Sequence, residues 1–208
     1  MIDGIVFDLD GTLIDTARTL SIAWSNAFKE GGLQISADEL YEKTKGVSSR
    51  DIIKKYLPGA DESTAKMLVS KRRDEAVKLL NSPLFYPETV GVLQDIRKRH
   101  IKIAVATGLG QDLLTKVIEI TSIDKLADSI ISSDIVERGK PDPAIFVEAF
   151  RRIGTDPKKG MVVGDSYNDI IPGKQIGSFT VFISRDGEKL DIANANITDL
   201  NEILKLLG

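Results

Sequence analysis

Short apolar runs, four of them followed by a small polar cluster, constrain this chain more than any other feature. Ile2 to Leu9 reads as a strand with Ile5, Val6 and Phe7 at its centre. IKIAVAT (Ile101–Thr107), MVVG (Met161–Gly164) and FTVFI (Phe179–Ile183) repeat the pattern, and Ser129 to Ser132 is a weaker instance. None alternates cleanly between apolar and polar residues, as strands with one wet face do; strands buried on both faces look like this. Between them the period lengthens to that of helices. Apolar residues recur at Val92, Leu93 and Ile96 within Thr89–Arg99, and at Ile145, Phe146, Ala149 and Phe150 within Pro143–Ile153; Leu200–Leu207 is the last such segment. Strands alternating with helices specify an α/β fold, a parallel sheet with helices on both faces.

Residues 15–82 break the pattern, because they contain no convincing strand. Thr16–Phe28 carries one apolar face through Ala17, Leu20, Ala23, Trp24 and Ala27. Ser36 with Glu39 forms a capping box for a second helix reaching Thr44. Ser49–Leu57 is a third, stopped by Pro58 and Gly59, and Glu62–Leu80 a long fourth. The expected organisation is a helical domain over residues 15–85 inserted into a core of residues 1–14 and 86–208. Two crossings between such domains permit hinge motion.

Composition enters as exclusions. A chain of 208 residues can build one core and a small accessory domain. Lys and Arg total 28 against 31 Asp and Glu, and the two signs are interleaved, so no basic stripe marks a nucleic-acid partner. The absence of cysteine removes thiol nucleophiles, disulfides and thiolate metal sites. The opening MIDGIVFDLDGTL has no basic leader, and no stretch approaches the roughly 20 apolar residues that span a bilayer. A soluble, cytoplasmic protein without a membrane partner is the expectation.

Ligands of open α/β sheets bind at the carboxyl ends of the strands, and the polar clusters stand there. Asp8 and Asp10 flank Leu9 at the end of the first run, and residues two apart on an extended chain face one side. Gly11 and Thr12 follow. Thr107 and Gly108 close the second run, Gly139-Lys140-Pro141 follows the third, and Gly164-Asp165-Ser166 closes the fourth, with Asp169 four residues after Asp165. Taken singly, each residue has a plainer explanation as a turn, a helix cap or a solvated charge. Together they place up to four carboxylates, Asp8, Asp10, Asp165 and Asp169, around one point. Such crowding calls for a hard divalent cation with oxygen ligands, and Mg²⁺ suits a site shared with water and phosphate. Thr107, Lys140 and the amides after Asp8 would then meet a dianionic phosphate.

DLDGTL (Asp8–Leu13), VATG around Thr107, GKPDP around Lys140 and GDSYND (Gly164–Asp169) resemble, in order and spacing, the four signatures of the haloacid dehalogenase-like hydrolases. The resemblance spans nearly the whole chain. It implies a Rossmann-like core, with the helical insertion as a cap domain. It also implies roles: Asp8 as nucleophile forming an aspartyl-phosphate, and Asp10 as general acid and then general base. Mg²⁺ would be held by Asp8, the Asp10 carbonyl and Asp165, with Asp169 orienting water or Lys140, or ligating directly. Thr107 and Lys140 would hold the transferring phosphoryl group, and Gly108 would offer only its amide where a Ser or Asn is usual. The second aspartate, Asp10, separates phosphate-ester chemistry from halide displacement, which needs no leaving-group proton.

Two branches of the family compete. TKGVSSRD (Thr44–Asp51) resembles the cap segment of β-phosphoglucomutases, with Lys45 and Arg50 as candidate substrate ligands, although the Arg is displaced by one position. Those mutases use a histidine shortly after the first signature, where this chain has Leu20; its single histidine, His100, lies between a helix and a strand. DTARTLSIAWSNAF and GDSYNDI resemble phosphoglycolate-phosphatase-like members instead. The expected partner is therefore a small phosphorylated metabolite, hydrolysed by a monomer or homodimer. Pyrophosphatase and mutase are the alternatives.

Overall fold

The computed structural model describes residues 2–44, 47, 49–80 and 84–208. The chain divides into two compact units, Met1–Asp15 with Pro83–Gly208, and Thr16–Ser82.

The first unit is built on a six-stranded sheet in the order β3-β2-β1-β4-β5-β6. The strands are β1 (Gly4–Phe7), β2 (Lys102–Ala106), β3 (Ser129–Ile131), β4 (Gly160–Gly164), β5 (Phe179–Ile183) and β6 (Ala195–Ile197). All pairings are parallel; Ile5 lies beside Ile103 on one side and Met161 on the other. This is a Rossmann-like α/β core. β1 and β4 are wholly buried, which is why their sequences lack alternation. Around the sheet lie α5 (Thr89–Lys98), α6 (Gln111–Thr121), α7 (Ala144–Ile153), α8 (Tyr167–Gln175) and α9 (Glu202–Leu206). α7 lays Ile145, Phe146, Ala149, Phe150 and Ile153 against Val6, Ala104, Ala106, Ile131 and Val162. Each Ile, Val or Phe side chain among them is worth about 1.5–3 kcal/mol of burial.

Three features depart from the sequence expectations. The first strand stops at Phe7, because Leu13 N and Ile14 N both donate to the Leu9 carbonyl and turn the chain. β6, with the sequence ANI, has no apolar run to announce it. It is fastened by Asn194 Oδ1, which accepts from Thr180 N at 2.9 Å, and by Asn196 Oδ1, which accepts from Leu190 N at 2.7 Å. The units also divide after Asp15 and after Ser82, rather than after residues 14 and 85. Asp15 N donates to Leu84 O and Tyr86 N to Leu13 O, so the returning segment already pairs with the first unit.

The second unit holds α1 (Ala17–Glu30), α2 (Ala37–Thr44), α3 (Ser49–Tyr56) and α4 (Glu62–Leu79). Trp24, Phe28, Leu40, Ile52, Ile53 and Leu68 form its core. Ser36 Oγ accepts from Glu39 N at 3.1 Å, one half of the expected capping box, while the Glu39 carboxylate turns to Lys43. Asp61 caps α4 by accepting from Thr64 N at 2.7 Å. No helix among the described residues is long and apolar enough to cross a membrane.

Candidate active site

Sheet order runs 3-2-1 and then 4-5-6, so the connection reverses between β1 and β4. Ligands of open α/β sheets lodge at the carboxyl end of such a reversal. Asp8 stands there, 7% exposed, its amide donating to Val163 O of β4. Asp10 lies beyond the strand, so the turn closed on Leu9, and not strand alternation, sets its position. Gly11 makes the turn possible in two ways. Its φ of +80° suits glycine, and a Cβ there would lie 2.1 Å from Asp165 Oδ2.

Lys140 reaches the same point from the loop before α7. Its Nζ donates to Asp8 Oδ1 at 2.5 Å and to Asp169 Oδ1 at 2.7 Å, and it lies 5.0 Å from the Phe146 ring centre. Asp169 sits in the first turn of α8, and its other oxygen accepts from Ser166 Oγ at 2.6 Å. Sequence alone assigns Ser166 no separate role. Its S-x-x-D spacing to Asp169 is the available signal, but one that ordinarily indicates a helix cap. Here the hydroxyl fixes the Asp169 carboxylate instead. Gly164 completes the arrangement, since a Cβ there would come within 2.3 Å of Asp169 Cβ.

Thr107 is fully buried at the end of β2. Its hydroxyl donates to Asp10 Oδ2 at 3.3 Å and accepts from Leu109 N at 3.1 Å. Gly108 is exposed, and a Cβ there would meet nothing within 4 Å. Asp8, Asp10, Thr107, Lys140, Asp165 and Asp169 thus converge from four strand ends. Arg50 lies exposed on α3 in the other unit, and Lys45 falls outside the described residues. His100 is an exposed helix-end residue, its amide donating to Arg97 O.

The electrostatics are unbalanced. Burial drives the Asp8 carboxyl well above its usual range; Lys140 opposes this, while Asp169, Asp165 and Asp10 add to it. Burial alone would lower Lys140, but Asp169 and Asp8 outweigh it and hold the ammonium above its ordinary value. One ammonium faces four carboxylates, so a further cation fits. Oxygens of Asp8, Asp165 and Asp169 lie within 4.8 Å of one another. This all-oxygen donor set matches a hard divalent ion rather than a soft one, and the missing Cβ of Gly11 is what leaves the Asp165 carboxylate its place in it.

Comparison with known proteins finds matches over nearly the whole chain. The model of the family described as haloacid dehalogenase-like hydrolase matches residues 5–183. A phosphoglycolate phosphatase from Aquifex aeolicus is 29% identical, over 98% of this chain and 95% of its own. A pyrophosphatase PpaX from Oceanobacillus iheyensis is 27% identical, over 98% and 96%. The crystal structure of a β-phosphoglucomutase from Clostridium difficile superposes with a TM-score of 0.83 at 23% identity, covering 98% of this chain and 93% of that one.

Proposed function

The chain belongs to the haloacid dehalogenase-like hydrolase family, and on that premise we propose that it is a Mg²⁺-dependent phosphatase of a small phosphate monoester. The observation that carries the reading is Lys140 bridging Asp8 and Asp169, with Asp165 and Asp10 alongside. It supplies a buried carboxylate nucleophile, a fixed positive charge and a set of oxygen donors in one place.

Asp8, Asp165 and the Asp10 carbonyl would hold Mg²⁺, with Asp169 tied to Lys140 and Ser166 beside them. The ion supplies positive charge that offsets the negative charge of the transferring phosphoryl group. An Asp8 carboxylate oxygen attacks phosphorus; an aspartyl-phosphate bond forms as the bond to the leaving oxygen breaks. Asp10 gives that oxygen its proton. Asp10 then takes a proton from water, whose oxygen attacks phosphorus, releasing inorganic phosphate and restoring Asp8. Thr107 Oγ1 and the Gly108 amide bind phosphoryl oxygens, and Lys140 offsets their charge.

The Aquifex relative supports a phosphoglycolate-like substrate. Pyrophosphate is the second reading, supported by the Oceanobacillus relative. Leu20 argues against mutase chemistry, since an aliphatic side chain moves no proton. Phosphate release should be measured with Mg²⁺ across phosphoglycolate, pyrophosphate, sugar phosphates and nucleoside monophosphates, while β-glucose 1-phosphate is followed for glucose 6-phosphate. Fast release from one small ester is the expected result. Isomerisation without release would overturn hydrolysis.

A further inference from the structure

Arg185 follows β5 and has no place in the chemistry above. Its Nη1 donates to Glu88 Oε1 at 2.6 Å and its Nη2 to the Thr12 carbonyl at 3.1 Å. The guanidinium carbon lies 3.4 Å from the centre of the Tyr86 ring. Its side chain is 24% exposed and that of Glu88 only 10%, so the pair is largely withdrawn from water. Arg, with a planar fork and an aromatic beneath it, fixes geometry in a way that Lys cannot.

What the fork joins is informative. Thr12 is four residues after Asp8 and two after Asp10. Other carbonyls of that turn are held from within it or from the returning segment: Leu9 O accepts from Leu13 N and Ile14 N, Ile14 O from Gly11 N, and Leu13 O from Tyr86 N and Thr89 Oγ1. The Thr12 carbonyl is instead held by a side chain 173 positions away. Tyr86 and Glu88 belong to the segment that returns from the helical unit, where Asp15 N donates to Leu84 O. Arg185 therefore binds the aspartate turn and the returning segment at once, from beyond the end of β5.

We infer that Arg185 is a positioning residue for Asp8 and Asp10. It locks the turn of residues 9–14 to residues 84–89, so that both carboxylates keep their distances to Lys140 and Thr107. The inference rests on the roles proposed for those two aspartates. A brace of merely general stability would loosen the whole sheet when removed; a positioning residue loosens the turn.

The full chain with Arg185→Gln or Arg185→Lys distinguishes the two. In Arg185→Gln, the amides of Leu13, Ile14, Asp15 and Tyr86 should exchange with deuterium about tenfold faster, while those of β1, β2 and β4 keep the wild-type rate. On the best ester of the panel, kcat should fall about tenfold with KM within about twofold. Arg185→Lys, which keeps the charge and loses the fork, should recover part of both effects. Unchanged exchange in the turn, equal loosening across the sheet, or a loss confined to KM would each overturn the inference. Should the wild-type protein release phosphate from nothing, the proposed function fails, and the exchange pattern still decides the role of Arg185.

Discussion

At the scale of single residues, Asp8 carries the sharpest electrostatic conflict of the candidate site. Burial and three neighbouring acids raise its carboxyl above the ordinary value of 3.8 despite Lys140. Between that value and the raised one, the native state binds a proton that the unfolded chain has released. Its contribution to stability therefore falls as pH rises through that window. Asp8→Asn removes the charge and leaves Lys140 its bond to Asp169. In metal-free protein the variant should melt above the wild type at neutral pH, with the gap closing as pH falls toward 3.8. Thermal unfolding followed by circular dichroism across that range checks this; a gap independent of pH would mean an unperturbed Asp8. The same variant should lose at least about 10⁴-fold in phosphate release, and full activity would remove Asp8 as nucleophile.

Among elements, the contact between β4 and α8 matters most to the site. Gly164 ends the strand and Asp169 sits in the first helical turn, with room for no side chain between them. A methyl at Gly164 must push α8 outward and draw Asp169 away from Lys140. Gly164→Ala should cost about 1–3 kcal/mol in urea unfolding, as overpacking does. Activity in the same preparation should fall at least about tenfold. Wild-type values in both assays would mean that α8 shifts freely and that this contact does not position Asp169. In the sequence this glycine is only the last residue of the run MVVG. Only the packed helix shows what its missing side chain makes room for.

In the molecule as a whole, the hydrophobic cores do not contain the candidate metal ligands. One lies beneath α7 and another in the helical unit, and neither includes Asp8, Asp165 or Asp169. Chelation should therefore abolish activity by about 100-fold or more and leave the fold intact. Restoring Mg²⁺ to about 100 times its dissociation constant should add about 2.7 kcal/mol, a rise of several degrees in calorimetric midpoint. Collapse of the far-ultraviolet dichroism on chelation would make the ion structural instead. The sequence by itself determined the α/β class, the helical insertion and the acids, threonine and lysine at strand ends, because burial on both faces and helical period are local patterns. It could not determine that β6 joins the sheet, since Asn side chains rather than an apolar run fasten it there. Nor could it show that Lys140 bonds Asp8 across 132 positions, or that Arg185 reaches Thr12 across 173. Strand order and register bring those groups together, and they follow from the packing of the whole sheet rather than from any one segment of the chain.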